Sequence, residues 1–125
     1  MTDSLKEYVE KQSEFLLKTA DLEYALLNLS GEVGELLGLF AKHRLKGRSF
    51  DELLKLVHSP EFQSDEELRK KLIGELGDVF FFSILCIIRC GFTPEFIAQQ
   101  NIDKLTERLK NNTIIGNGDI ERTKL

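Results

Sequence analysis

Six apolar residues, Leu22, Leu26, Leu29, Val33, Leu36 and Phe40, recur at alternating steps of four and three. That spacing aligns side chains along one face of an α-helix and scatters them over both faces of a strand. A helix carrying one continuous apolar stripe must be covered, so the chain has to supply further helices to pack against it. Their start signals are legible. Ser4 with Glu7, Ser49 with Glu52 and Ser64 with Glu67 have the form of capping boxes ahead of apolar residues at helical spacing. Thr93 followed by Pro94 reads as an N-cap with proline at the first helical position.

These signals predict five helices, over about Ser4 to Lys18, Asp21 to Leu45, Phe50 to Val57, Asp65 to Arg89 and Pro94 to Lys110. Gly47 and Gly91 act as stops, and Ser59 to Ser64, with Pro60 closing the helix before it, reads as a connector. The run from Val79 to Ile88 is apolar nearly all round, more than one facing helix in a small monomer covers. The expected fold is all-α, a helical bundle of about five helices whose four-helix-bundle core is completed by oligomerisation.

A chain of 125 residues fits one compact domain. Its formal net charge of -4 gives no sequence-wide positive field, which argues against nucleic acid polymers and anionic membranes as partners. A nucleotide is not excluded, because divalent cations can sit between acidic side chains and a triphosphate. Cys86 and Cys90 lie four apart in an apolar stretch, without the spacing of a disulfide framework or zinc knuckle, and read as reduced core residues. Met1 to Lys11 lacks the apolar region of a signal peptide, and the ten residues from Val79 to Ile88 fall short of a membrane span. A cytoplasmic protein is the resulting expectation.

The chemistry-bearing feature is a pattern that occurs twice. Gly31-Glu32-Val33-Gly34-Glu35 and Gly74-Glu75-Leu76-Gly77-Asp78 share one form at an offset of 43 residues. Acidic residues at i and i+3 project from one helical face, so each pentad presents two carboxylates side by side, here bordering apolar residues. Two like charges about 4 Å apart repel by roughly 4 kcal/mol at an effective dielectric near 20, so converging carboxylates need compensation. Divalent cations supply it, and all-oxygen donors without histidine or cysteine favour Mg²⁺ or Mn²⁺ over zinc. Glycines inside these helices each cost about 1 kcal/mol relative to alanine. Gly31, Gly34, Gly38, Gly74 and Gly77 therefore point to a close approach of a second helix or a bound phosphate.

Leu29-Ser30-Gly31-Glu32-Val33-Gly34-Glu35, Glu75-Leu76-Gly77-Asp78-Val79 and Asn101-Ile102-Asp103-Lys104-Leu105 with Arg108 resemble the three motifs of the MazG-like nucleotide pyrophosphohydrolases, of the all-α NTP pyrophosphatase superfamily. The tail Asn112-Thr113-Ile114-Ile115-Gly116-Asn117-Gly118-Asp119 is similar to the C-terminal extension of some small phage-like and bacterial members. The resemblance covers most of the chain, with residues 1–111 as the helical catalytic domain and 112–125 as its extension. It implies a dimer or dimer of dimers in which Glu32, Glu35, Glu75 and Asp78 are Mg²⁺ ligands. It further implies hydrolysis of a (d)NTP at the α-phosphorus to (d)NMP and pyrophosphate, in nucleotide-pool house-cleaning.

Glu32 and Glu35 are the candidate catalytic carboxylates, either of which can be the base. Asn101, Lys104 and Arg108, at i, i+3 and i+7, are the candidate substrate-binding residues. Leu16, Thr19, Ala20 and Tyr24 are candidates for the wall of the base pocket. Lys42, Arg44, Lys46 and Arg48 read first as a solvated face, with electrostatic attraction at the mouth of the site as the alternative, and His43 and His58 as surface residues. Gly31 stands where the commoner form of the first motif has an acid. The separation from Glu35 to Glu75 is longer than the family's, and the insertion over residues 46–64 is expected to lid the site or extend an interface. The competing readings are a phosphoribosyl-ATP pyrophosphohydrolase-like enzyme and a non-catalytic helical nucleotide-binding module. A di-iron bundle lacks its Glu-x-x-His pairs.

Overall fold

The computed structural model describes residues 4–64 and 66–112, with the side chains of Phe62 and Gln63 excepted. Among the described residues the chain is all-α, six helices and no strand. They are α1 (Leu5–Ser13), α2 (Leu22–Leu45), α3 (Phe50–Val57), α4 (Pro60–Ser64), α5 (Glu66–Arg89) and α6 (Pro94–Lys110). No described helix is long and apolar enough to cross a membrane.

The helix starts follow their caps. Ser4 accepts from the Glu7 N–H, Asp21 from the Tyr24 N–H at 2.9 Å, and Thr93 from the Phe96 N–H. At Ser49 the capping box is complete, with Glu52 reaching back to the Ser49 N–H. Gly47 and Gly91 turn the chain at φ 88° and 85°, the left-handed region that glycine enters without a Cβ penalty.

Three expectations change. α1 ends at Ser13, not near Lys18: the Glu14 N–H tightens onto Lys11 O, and the following residues turn to bury Ala20 and set Asp21 in its extended cap conformation. The stretch from Ser59 to Ser64 is not a connector, because Pro60 opens the short α4 where its missing N–H costs nothing. Ser64 is the last residue of α4, its hydroxyl donating back to Glu61 O at 2.9 Å, and α5 opens at Glu66, with the residue between them outside the described residues.

The long helices α2 and α5 pack side by side along most of their length and run antiparallel. Tyr24 meets Phe82 edge-on at one end, with ring centroids 5.9 Å apart, and Leu39 and Leu68 share a cavity lining at the other. Ala25 and Leu39 of α2 and Leu68, Ile84 and Leu85 of α5 are buried between the packed elements. Of the sequence stripe, Leu26 and Val33 remain exposed, so the buried line of α2 is rotated toward Ala25 and Leu39. α1 lies on α5 through Tyr8, edge-on to Phe80 at 4.9 Å, and through buried Gln12. α3 returns onto the far end of α2, with Phe50 against Phe40 and Leu53 fully buried.

α6 packs on α5 over a short stretch. Its expected apolar stripe leaves Ile102 56% and Leu109 71% exposed. Cys86 is half-buried and Cys90 exposed, so Cys90 is not a core residue.

Candidate metal centre

α2 carries Glu32 and Glu35 one turn apart, and α5 carries Glu75 and Asp78 one turn apart. Antiparallel packing puts these turns opposite each other. One carboxylate oxygen from each of Glu32, Glu35 and Glu75 falls in a group whose members all lie within 4.8 Å of one another. Glu32 and Glu75 are half-buried, and their Oε2 atoms are out of contact with water and have no hydrogen-bond partner. A buried acceptor without a donor is costly, so two in one cluster ask for a positive group between them.

The electrostatics agree with that geometry. The Glu32 carboxyl is raised above its ordinary value of 4.5 by burial first, then by the close approach of the Glu35 carboxyl and by the charges of Asp78 and Glu75. The Glu75 carboxyl is raised by burial first and then by Glu35 and Asp78, with Lys42 acting in the opposite direction. Asp78 is exposed and lies outside the group of three oxygens, yet its charge reaches Glu32, Glu75 and the Tyr8 hydroxyl. The donor set is all oxygen, mixed in burial and drawn from two rigid helices. Mg²⁺ or Mn²⁺ fits it better than zinc.

The glycines of the pentads do not bring helices of this chain together. A Cβ built at Gly31, Gly34, Gly38, Gly74 or Gly77 would meet nothing within 4 Å outside the local helix backbone. Among the described residues the expected close approach is therefore not made, and the space beside both acidic turns is open.

Asn101, Lys104 and Arg108 share a face of α6 as the spacing requires, with Asn101 and Lys104 exposed and Arg108 half-buried. Among the described residues, the cation whose charge acts on Glu75 is Lys42, not Lys104 or Arg108. Lys42, Lys46 and Arg48 line one cavity of about 240 Å³ with Leu39, His43, Glu67, Leu68 and Lys71. Lys42, Arg44, Lys46 and Arg48 are all exposed, as a solvated face requires, but three of them share this one lining, and His43, half-buried there, is not a plain surface residue. Arg44 is not part of the lining, and His58 is exposed at the end of α3. The signal was present in the numbering: Lys42 is two turns beyond Glu35, and Lys71 one turn before Glu75, each on the face of its acidic partner.

At the opposite end, Leu16, Thr19, Ala20 and Tyr24 line a hollow of about 190 Å³ together with Phe15 and Leu17. The insertion does not fold away from the bundle: Leu53 and Val57 pack with Leu39, Phe40 and Leu68 beside the basic cavity. Residues 113–125, and with them nearly all of the expected C-terminal extension, lie outside the described residues.

Compared with protein-family models, curated proteins and solved structures, the chain matches none.

Proposed function

We propose that this protein is a Mg²⁺-dependent nucleoside triphosphate pyrophosphohydrolase, cleaving a (d)NTP to (d)NMP and pyrophosphate. The observation that carries the reading is the group of three carboxylates from two helices, two of them with buried oxygens that no hydrogen bond satisfies. Glu32, Glu35 and Glu75 would hold the cation, with Asp78 one turn along α5 adding negative charge or a further ligand. A divalent cation there supplies positive charge to phosphate oxygens and acidifies water.

The protein's own residues do the rest. A carboxylate of α2, Glu32 or Glu35, accepts a proton from the water that attacks the α-phosphorus. The new bond is from the water oxygen to phosphorus, the bond broken is from phosphorus to the bridging oxygen, and pyrophosphate leaves with that oxygen. The hollow around Tyr24 suits the base: Tyr24 is eight residues from Glu32, about 12 Å along α2 at 1.5 Å per residue.

The exposed apolar residues of α5 and α6, among them Ile73, Leu76, Ile102 and Leu109, support a homo-oligomer, in which Asn101, Lys104 and Arg108 of one subunit can face the acidic turns of another.

The test is a pyrophosphate-release assay over the common NTPs and dNTPs with and without Mg²⁺. Glu35→Gln is expected to cut turnover by about 10²-fold or more, and Asp78→Asn by at least about tenfold. Nucleotide binding with no pyrophosphate release would leave a binding module in place of an enzyme.

A further inference from the structure

Lys42, Lys46, Arg48 and Lys71 converge on one cavity from three parts of the chain: α2 and its C-cap, the loop after it, and α5. Four cations face it against one carboxylate, Glu67, in a protein whose net charge is -4. Local reasons account for part of this. Cations in the last turn of α2 complement the helix dipole, and Lys71 pairs with Glu67 at 2.9 Å. The cap that ends α2 returns Arg48 to the helix, its N–H donating to His43 O at 3.1 Å after the left-handed Gly47, and this sets its guanidinium Nη1 3.5 Å from His43 Nδ1 on the cavity wall. None of these reasons requires a cavity to be there. Collected around a concavity, these groups are a receptor for a compact, multiply charged anion.

The position of the cavity decides which anion. Lys42 lies seven residues beyond Glu35 on the same face of α2, about 10 Å along the axis. Lys71 lies four residues before Glu75 on α5, about 6 Å away. Lys42 belongs to both places, lining the cavity and acting electrostatically on Glu75. Along α2 the order is therefore apolar hollow at Tyr24, acidic turn at Glu32 and Glu35, basic cavity at Lys42.

We infer that the cavity lined by Lys42, Lys46, Arg48 and Lys71 is the subsite for the terminal phosphates of a polyphosphate chain, and the exit station of pyrophosphate. This rests on the pyrophosphohydrolase reading for its biological use, but the cavity's affinity for polyphosphate stands apart from turnover. Cations placed here select a triphosphate over a monophosphate, because only a chain of phosphates spans from the acidic turns to the cavity. They also withdraw negative charge from the leaving pyrophosphate.

The experiment is calorimetric titration of the full chain with inorganic triphosphate, pyrophosphate and a nucleoside monophosphate in EDTA. The proteins are wild type, Lys46→Gln/Arg48→Gln, and Lys6→Gln as a control on the exposed face of α1. The double variant is expected to weaken triphosphate and pyrophosphate binding at least tenfold, with monophosphate binding unchanged and the control near wild type. In a turnover assay the same variant should raise KM at least tenfold and change kcat less. Equal triphosphate affinity in wild type and double variant overturns the inference, as does equal weakening by Lys6→Gln. A protein that cleaves no nucleotide but shows the predicted triphosphate loss refutes the enzymatic reading and keeps the subsite. Circular dichroism of the variants separates lost binding from lost folding, and Lys46→Arg, which keeps the charge, should retain wild-type affinity.

Discussion

The side-chain amide of Gln12, 2% exposed on α1, donates to the backbone carbonyl of Phe81 on α5 at 2.7 Å. Phe81 is one turn beyond Asp78, so this bond holds α1 against α5 next to the acidic turn. Its Oε1 is buried with no partner, which offsets part of the bond's value.

Gln12→Ala is expected to destabilise the protein by about 2 kcal/mol, from the lost bond and the space left behind. Gln12→Met fills the space and removes both polar atoms, and should cost less than about 1 kcal/mol. Urea denaturation of the two variants checks the difference; equal losses would mean that the hydrogen bond, not the packing, fixes α1.

The acidic turns make stability depend on pH in a definite direction. Glu32 and Glu75 are raised above 4.5 in the folded protein, so the folded state binds protons more tightly than the unfolded chain. Their contribution to stability is fully present below 4.5 and is lost as pH rises through the raised folded values. In EDTA, wild type should lose stability relative to Glu32→Gln/Glu75→Gln between that pH and neutrality. Mg²⁺ should recover it at neutral pH and have little effect under acid, where protons compete for the same oxygens. Parallel melting curves for the two proteins across this range would count against a strained acidic cluster.

Gly34→Ala and Gly77→Ala introduce a Cβ into open space within the subunit. Each should raise thermal stability by about 0.5 to 1 kcal/mol through helix propensity. Turnover, or the assembly measured by sedimentation, should fall if a phosphate or second subunit occupies that space. Higher stability with unchanged activity and mass would leave these glycines without a functional role.

Leu53 anchors the inserted α3 and is fully buried, with its neighbours Leu39, Phe40 and Leu68 forming the floor beside the basic cavity. Leu53→Ala should cost about 2 to 5 kcal/mol. At temperatures where the variant remains folded, the damage should fall on triphosphate affinity more than on metal affinity. The opposite ranking, read by calorimetry, would detach the insertion from the cavity.

The bundle was readable in the sequence because its signals are local. Caps at Ser4, Ser49 and Thr93, stops at Gly47 and Gly91, and apolar steps of three and four are settled within a few residues. So was the pairing of Glu32 with Glu35, and of Glu75 with Asp78, on their own helices. What lay beyond the sequence depends on the rotation of one helix against another. That rotation buries Ala25 and Leu39 rather than Leu26 and Val33, and brings Lys71 of α5 to the side of Lys42. It also makes Lys42 a cation that acts on Glu75, a matter of inter-helix geometry that spacing on one helix alone cannot express. Pro60 misled for a different reason: a proline that cannot continue one helix is equally suited to open the next.

The claim beneath the whole account is that the oxygens of Glu32, Glu35 and Glu75 share a divalent cation. Mn²⁺ titration at neutral pH, followed by electron paramagnetic resonance of the free ion, measures this without any substrate. Wild type is expected to take up Mn²⁺ with displacement by Mg²⁺ and release of protons, and Glu32→Gln/Glu75→Gln to lose at least about tenfold in affinity. The same uptake by both folded proteins would place the cation elsewhere and contradict the account.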